Sequence, residues 1–364
     1  MSDPQLLYTD VEDDLRSSVR GVLEKRCSTD RVNACYDGDD AVGDEVWRAL
    51  ADQLGLAGLL VPEELGGAGA SAREAGAVLE ELGRYAVPVP FLSSAVVATV
   101  TAVAAGDHDL ARRLAEGGTT AALLVPASAR TVGDSFTLDA HGRLSGALRG
   151  VLGVAGPVPA GVLLVPADGG LRRVEVAADG VSVTAVLSLD MTQPLADVHL
   201  DGVASTAVTD DLSAADAGLL AGATLLASEQ VGIAGWCLEE TVAYLQQRRQ
   251  FGRVVGGFQA LKHRLADLYA EVESARAAAR YAVATLADDD PDAAVAASLA
   301  QAYCSRVAVH AAEEAVQLHG GIGMTWEHGA HLRLKRAKAD QVILGSPEAH
   351  LAALATLIDL PATG

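Results

Sequence analysis

Two glycine-flanked helix ends carry residue types suited to holding a nucleotide. In the run 244–259, YLQQRRQFGRVVGGFQ, a long helical pattern ends at Arg248 and Arg249, and a new pattern begins after a Gly-Gly pair. In the run 315–338, AVQLHGGIGMTWEHGAHLRLKRAK, a helical pattern stops at Gln-x-His-Gly-Gly. An arginine fork donates two hydrogen bonds to a phosphate, and glycine allows close approach of backbone N–H groups. Together the runs favour a site for the phosphates and sugars of a nucleotide cofactor.

Each helix end also has a purely structural explanation. Arg248 and Arg249 suit the C-terminus of a helix, where the helix dipole favours cations. Gly320 and Gly321 suit a helix stop, because glycine readily adopts the left-handed conformation of a C-terminal cap. Taken singly, each motif leaves both roles open.

The type, spacing and order of these residues resemble the C-terminal domain of the acyl-CoA dehydrogenase family. The matching segments are the turn 248–252, the restart 257–259 and the turn 317–323. The run 62–69, PEELGGAG, is similar to the N-terminal signature of the family, so the resemblance covers nearly the whole chain.

The resemblance implies the α+β fold of that family in three domains. We expect an N-terminal helical domain over residues 1–118, a central β-barrel or sandwich over 119–212 and a C-terminal four-helix bundle over 213–364. Periodicity agrees, because helical spacing runs from about residue 10 to 117 and returns at Ser213, whereas about seven short alternating or β-branched runs lie between. Ser71 and Ser213 are predicted helix N-caps.

The resemblance also implies a cofactor, FAD, whose ADP half is bound across a subunit interface. The cofactor-binding residues that it implies are Arg248, Phe251, Phe258, Gln259, Gln317, Leu318, His319, Gly320 and Gly321. An acyl-CoA substrate and an electron-transfer flavoprotein as electron acceptor follow from the same resemblance. The spacing of the histidines at 319, 328 and 331 is not typical of a metal site, so no metal is predicted.

Two segments that hold the flavin ring in the family do not match here. The family has a Thr-Glu-Pro-x-Ala-Gly-Ser-Asp loop and a later Trp-x-Thr or Trp-x-Ser. The corresponding runs of this chain read VPASAR at 125–130 and GALRGV at 146–151. The resemblance therefore implies the ADP half of a flavin site without the ring half.

The catalytic base of the family is also missing. It is a glutamate that removes the α-proton while hydride leaves for the flavin. Its usual position, counted from the run 335–338, holds Leu344, and its alternative position on the first long helix of the bundle holds Gly222. Glu229 lies two helical turns beyond Gly222, about 10 Å away, and is a weak candidate base. Otherwise it is a buried polar anchor or an interface residue.

These matches and gaps favour one subunit of a heterotetrameric acyl-CoA dehydrogenase, similar to actinobacterial enzymes that degrade steroid side chains. A paralogous partner would supply the ring pocket and the glutamate. One alternative is a self-sufficient homotetramer with a non-standard base. A second alternative is a flavin-free protein that binds acyl-CoA or acts as a scaffold.

Composition and charge exclude other classes of protein. The 364 residues are 50% hydrophobic but only 4% aromatic, which is typical of a helix-rich globular chain. The formal net charge of −21 disfavours binding to nucleic acid or an anionic membrane. No signal peptide or uncharged apolar run of about 18 residues is evident, so we expect a cytoplasmic protein. Separate reduced thiols are expected at Cys27, Cys35, Cys237 and Cys304.

Overall fold

The computed structural model of the chain describes residues 6–360, in which helices come first, then a mixed sheet, then helices again. The helices before the sheet are α1 (Asp10–Arg26), α2 (Thr29–Asn33), α3 (Ala41–Arg48), α4 (Ala72–Tyr85), α5 (Thr99–Ala104) and α6 (His108–Ala115). Short 3-10 segments cover Ala34–Asp37, Leu56–Gly58 and Glu63–Leu65, and π-helical segments cover Ala49–Gln53 and Phe91–Ala98.

Helix α4 begins at the predicted capping box. The Oγ of Ser71 accepts a hydrogen bond from the N–H of Arg73, and the carboxylate of Glu74 accepts one from the N–H of Ser71. The two bonds satisfy N–H groups that have no acceptor inside the helix. The start of α4 is therefore encoded within four residues of sequence.

The central region is an eight-stranded mixed sheet. Its strands are β1 (Ala121–Leu123), β2 (Phe136–Leu138), β3 (Arg143–Leu152), β4 (Val162–Ala167), β5 (Gly170–Glu175), β6 (Val181–Val186), β7 (Leu195–Ala204) and β8 (Thr206–Thr209). Their order is β6-β7-β3-β2-β4-β5-β8, and β1 pairs with β4 in parallel. Strand β2 also runs parallel to β4, and the other pairs are antiparallel.

Seven of these strands correspond to predicted runs, and β8 does not. Only Ser205 separates β8 from β7, so the sequence carries no turn signal between them. The chain nevertheless changes partner at this point, because β7 pairs with β3 and β6 whereas β8 pairs with β5. Which strand a segment pairs with is a long-range property that local periodicity does not contain.

The C-terminal region is a bundle of helices joined by short connections. Its elements are α7 (Ser213–Gln247), β9 (Arg249–Gln250), β10 (Arg253–Val254), α8 (Gln259–Ala287), α9 (Ala293–His319), α10 (Ala330–Asp340) and α11 (Pro347–Leu357), with 3-10 segments at Val255–Gly257 and Gly320–Met324. Helix α7 packs against α4, α8 and α9, and α11 packs against α9. The predicted cap at Ser213 is wrong. Leu212 occupies the N-cap position, and the carboxylate of Asp211 accepts the N–H of Ser213 at 2.6 Å.

Helix α7 lies at the centre of the fold. It is long and apolar enough to cross a membrane by composition, but 89% of its apolar window is buried inside the protein, as in the core helix of a globular fold. It approaches α4 very closely at two glycines. A Cβ on Gly83 would lie 2.1 Å from the carbonyl oxygen of Glu229, and a Cβ on Gly232 would lie 1.9 Å from that of Glu80. Any side chain at either position would force the helices apart.

The four cysteines are free and buried, as expected for separate reduced thiols. Burial raises the pKa of each thiol to about 12. A thiol with such a pKa stays protonated at neutral pH and is a poor nucleophile.

Candidate functional site

The run 244–259 contains a small β-hairpin that the sequence indicated only as a turn. Strands β9 and β10 are joined by Phe251 and Gly252, whose φ angles are 51° and 76°. Two consecutive positive φ angles are typical of a type I′ turn, which matches the twist of a two-residue hairpin. The tip places Phe251 in solvent, where it is 90% exposed. A large aromatic side chain is thus available at the protein surface.

Three arginines surround this hairpin. Arg248, Arg249 and Arg253 are exposed, and within residues 6–360 none of them forms an ion pair with a carboxylate. Arg253 instead stacks on the ring of Phe258 at 3.8 Å, and that ring meets Phe251 edge-on at 6.3 Å between centroids. Arg253 was not among the predicted cofactor-binding residues. Its position as the third arginine of the run 244–259 could have indicated it. The cluster is a local positive site on a chain with a net charge of −21.

The predicted amide and glycine positions also lie at the surface. Gln259 opens α8 and Gln317 lies in the last turn of α9, and both are exposed. Gly320 has a φ of 64°, and a Cβ on Gly320 or Gly321 would meet nothing within 4 Å. The backbone of this turn is therefore accessible from outside, and Leu318 beside it is half-buried.

His319 differs from the other predicted residues because its ring is buried, with 3% exposure. Its Nδ1 lies 2.7 Å from the carbonyl oxygen of Ala315, and its ring stacks on Tyr244 at 4.4 Å between centroids. Because Tyr244 lies four residues before Arg248, this stack joins the end of α7 to the end of α9. His319 therefore supports the turn 317–321 from beneath, and Tyr244, which was not predicted, fixes the two runs side by side.

Gly222 and Leu344, which occupy the two positions of the catalytic base in the family that the sequence resembles, contact each other. A Cβ on Gly222 would lie 2.9 Å from Cδ1 of Leu344 and 2.6 Å from Cγ2 of Val97. The adjacent cavity, of about 30 Å³, is lined without any carboxylate by Ser93, Val97, Leu123, Val125, Pro126, Ala127, Leu152, Leu219 and Leu344. A cavity of that size holds about one water molecule. This place can neither accept a proton nor accommodate a thioester.

The contact between these two positions predicts a stability effect. Gly222→Ala should lower the free energy of unfolding by about 1–3 kcal/mol, because its methyl group overlaps Val97 and Leu344. Adding Leu344→Ala should recover part of that loss, whereas two independent sites would give additive losses. Urea denaturation of the wild type, both single variants and the double variant measures the coupling. Simple additivity would contradict the contact.

Backbone hydrogen bonds link the segments that correspond to the flavin-ring loops of the family. The N–H of Leu344 donates to the carbonyl of Ala127 at 2.7 Å, and the N–H of Ala127 donates to that of Gly150 at 2.9 Å. Gly150 lies at a β-bulge of β3 with a φ of 64°. A cavity of about 430 Å³ lies beside these residues, and Arg149 and Lys338 are its basic lining residues. The segments here supply none of the carboxylate, threonine or tryptophan side chains of the family motifs.

Glu229, the weak candidate base, lies in a buried ion pair. Its Oε1 is 2.5 Å from Nη1 of Arg336, whose Nε lies 2.5 Å from Oδ2 of Asp190. Glu229 is 2% exposed, and burial raises its pKa while the guanidinium opposes that shift. The same guanidinium donates to the backbone oxygen of Thr192 at 2.9 Å. These contacts indicate a structural anchor between α7, α10 and the loop before β7.

Comparison with known proteins identifies the family of the chain. Two protein-family models match the chain. The model described as "Acyl-CoA dehydrogenase, N-terminal domain" matches residues 9–117, and the model described as "Acyl-CoA dehydrogenase, C-terminal domain" matches residues 212–358. The acyl-CoA dehydrogenase IpdE2 of Mycolicibacterium smegmatis is 35% identical over 345 residues, covering 93% of this chain and 95% of that protein.

Two solved structures are similar over their full length. A chain of the ChsE4–ChsE5 complex from Mycobacterium tuberculosis gives a TM-score of 0.87 at 26% identity, over 99% of this chain and 100% of that one. A chain of the steroid ACAD Tcur3481–Tcur3483 gives a TM-score of 0.85 at 29% identity, over 96% of this chain and 98% of that one. The chain therefore belongs to the acyl-CoA dehydrogenase family, whose members are FAD-dependent oxidoreductases that act on CH–CH bonds.

Proposed function

We propose that this chain is one subunit of a hetero-oligomeric acyl-CoA dehydrogenase. In this proposal it contributes the ADP half of an FAD site, and a paralogous partner contributes the flavin-ring pocket and the catalytic glutamate. The observation that carries the proposal is the contact between Gly222 and Leu344, which leaves both base positions apolar beside a cavity of about 30 Å³. The ChsE4–ChsE5 relative, itself a complex of two named proteins, supports this arrangement.

The exposed residues around the hairpin fit an adenosine diphosphate. The guanidinium of Arg248, which lacks a carboxylate partner within residues 6–360, would hold the pyrophosphate through paired hydrogen bonds. Phe251 and Phe258 offer apolar faces, and Gln259 and Gln317 offer amides to the sugar and base. The open backbone at Gly320 and Gly321 would donate N–H groups. Bound FAD supplies the acceptor for hydride from the acyl chain.

The proposed substrate is the CoA thioester of a steroid-derived acid, which the name of the steroid ACAD Tcur3481–Tcur3483 supports. An electron-transfer flavoprotein is the proposed electron acceptor, and the cytoplasm is the proposed location. We also propose the three-domain division at residues 118/119 and 212/213, which places the ADP half-site wholly in the C-terminal domain.

The two alternative functions make different demands on the chain. A self-sufficient homotetramer needs a base, and Glu229 is held by Arg336 instead of being free to accept a proton. A flavin-free scaffold has no need for an exposed aromatic hairpin flanked by three arginines without carboxylate partners in the described chain. Both observations favour the subunit proposal.

Expression of the chain alone and together with its paralogue tests the proposal. We expect the lone chain to retain no flavin and to have no dehydrogenase activity, because it lacks the ring pocket and the base. The co-purified complex should show the visible flavin absorbance band and should oxidise the acyl-CoA. Replacing the partner's glutamate by glutamine should abolish turnover with the flavin retained. FAD retention and turnover by the lone chain would contradict the proposal. A complex without flavin absorbance would favour the alternative of a flavin-free scaffold.

A further inference from the structure

Three side chains of metal-ligand type converge beneath the turn 317–321. Glu240 belongs to α7, His319 ends α9, and His328 lies two residues before the start of α10. One ligand atom from each residue lies within 4.8 Å of the others. The spacing of these residues along the chain gave no sign of a metal site, because the carboxylate lies on a helix far away in sequence.

We propose that Glu240, His319 and His328 form a binding site for a divalent transition-metal ion, Zn²⁺ in the first place. Two imidazoles and one carboxylate are a ligand set typical of zinc, and solvent can complete the coordination. The bound ion would fasten the ends of α7 and α9 to the start of α10. Its role would be structural, because it would fix the turn that carries Gln317 and Gly320.

His319 is already prepared as a ligand. Its Nδ1 faces the carbonyl oxygen of Ala315 at 2.7 Å, and since a carbonyl only accepts hydrogen bonds, Nδ1 carries the ring proton. Nε2 therefore presents a lone pair. That atom is buried and has no hydrogen-bond partner in residues 6–360. A buried acceptor without a partner is costly, and a metal ion would satisfy it.

His328 and Glu240 complete the set from the other side. Nε2 of His328 lies 3.9 Å from Oε1 of Glu240, and the rings of His328 and His319 are 4.1 Å apart between centroids. The side chain of Glu240 is 45% exposed, which gives an ion access from solvent.

Two neighbours weaken the site without removing it. The buried guanidinium of Arg333 adds positive charge near His328, which the carboxylate of Glu240 offsets. The N–H of Ala330 approaches Nδ1 of His328 at 3.2 Å, and this contact must open when Nε2 binds a metal and Nδ1 takes the proton. We therefore expect lower affinity than that of closed four-ligand zinc sites.

Metal titration of the full chain without flavin tests the site independently of the proposed function. Co²⁺ should give a visible ligand-field absorbance that saturates at one equivalent per chain, and Zn²⁺ should displace it and raise the Tm. Glu240→Gln, which alters a partly exposed side chain, should lose most of the affinity and the Tm shift. His319→Gln should do the same.

The matched control is Glu271→Gln, which removes a carboxylate from the exposed pair formed by Glu271 and His310 at 2.7 Å. This variant should bind metal like the wild type. The absence of stoichiometric binding to the wild type, or equal binding by Glu240→Gln and the wild type, would overturn the proposed site. The Glu240→Gln comparison remains decisive if His319→Gln fails to fold.

Discussion

Arg248→Gln is expected to lower the FAD affinity of the assembled enzyme by about 10- to 100-fold. The arginine fork would make two hydrogen bonds to the pyrophosphate, and the amide of glutamine can keep one of them. A lost hydrogen bond to a charged group costs about 1.5–3 kcal/mol, which corresponds to about 10- to 100-fold in affinity. Arg248 is exposed and has no carboxylate partner in the described part of the chain, so its removal breaks no ion pair there. Flavin-fluorescence quenching on titration of the deflavinated complex with FAD measures the change.

The control for charge is Arg113→Gln. It also removes one positive charge, but from the pair that Arg113 forms with Glu175 at 2.7 Å, outside the hairpin. We expect the FAD affinity of this variant to equal that of the wild type. Equal affinities for Arg248→Gln and the wild type would show that the hairpin does not hold the pyrophosphate, and the ADP half-site would have to lie elsewhere.

Arg336→Met is expected to lower the free energy of unfolding by about 3–5 kcal/mol, because it leaves two buried carboxylates without their cation. Glu229 and Asp190 both lie 2.5 Å from the guanidinium and are 2% and 1% exposed. Burial disfavours the charge of Arg336, but the two carboxylates outweigh it and raise its pKa. Urea denaturation at neutral pH measures the loss. Arg306→Met, which breaks an exposed pair with Glu348, should cost at most about 1 kcal/mol.

The loss in Arg336→Met should also depend on pH, with a defined sign. Burial already raises the pKa of Glu229, and removal of the cation should raise it further. A carboxyl whose pKa is higher in the folded state binds more protons there than in the unfolded state. The free energy of unfolding therefore falls as pH rises above about 4, the ordinary pKa of a glutamate. The variant should therefore be closest to the wild type at low pH. Adding Glu229→Gln and Asp190→Asn should restore stability and weaken this dependence, of which the buried Asp340, whose pKa burial raises, keeps a part. A loss that is the same at all pH values would contradict the ion-pair explanation.

The sequence by itself determined the local structure and predicted half of a cofactor site. The capping box of Ser71 and Glu74 and the 35-residue α7 are encoded by residues a few positions apart. Helical and strand periodicities are likewise local, because burial alternates with the geometry of the backbone. The absence of a proton acceptor at Gly222 and Leu344 was also readable, because glycine and leucine side chains have no group that accepts a proton in any fold.

Only the tertiary structure decided which distant residues act on each other. It paired Glu229 with Arg336, buried His319 under the turn that it was expected to line, and brought Glu240 to His319 and His328. It also assigned β8 to β5 and gave the hairpin tip two positive φ angles. The physical reason is the same in each case. Whether a histidine or a glutamate is a ligand, an anchor or a base depends on its burial and on neighbours that lie far away in sequence, and no local pattern contains those neighbours.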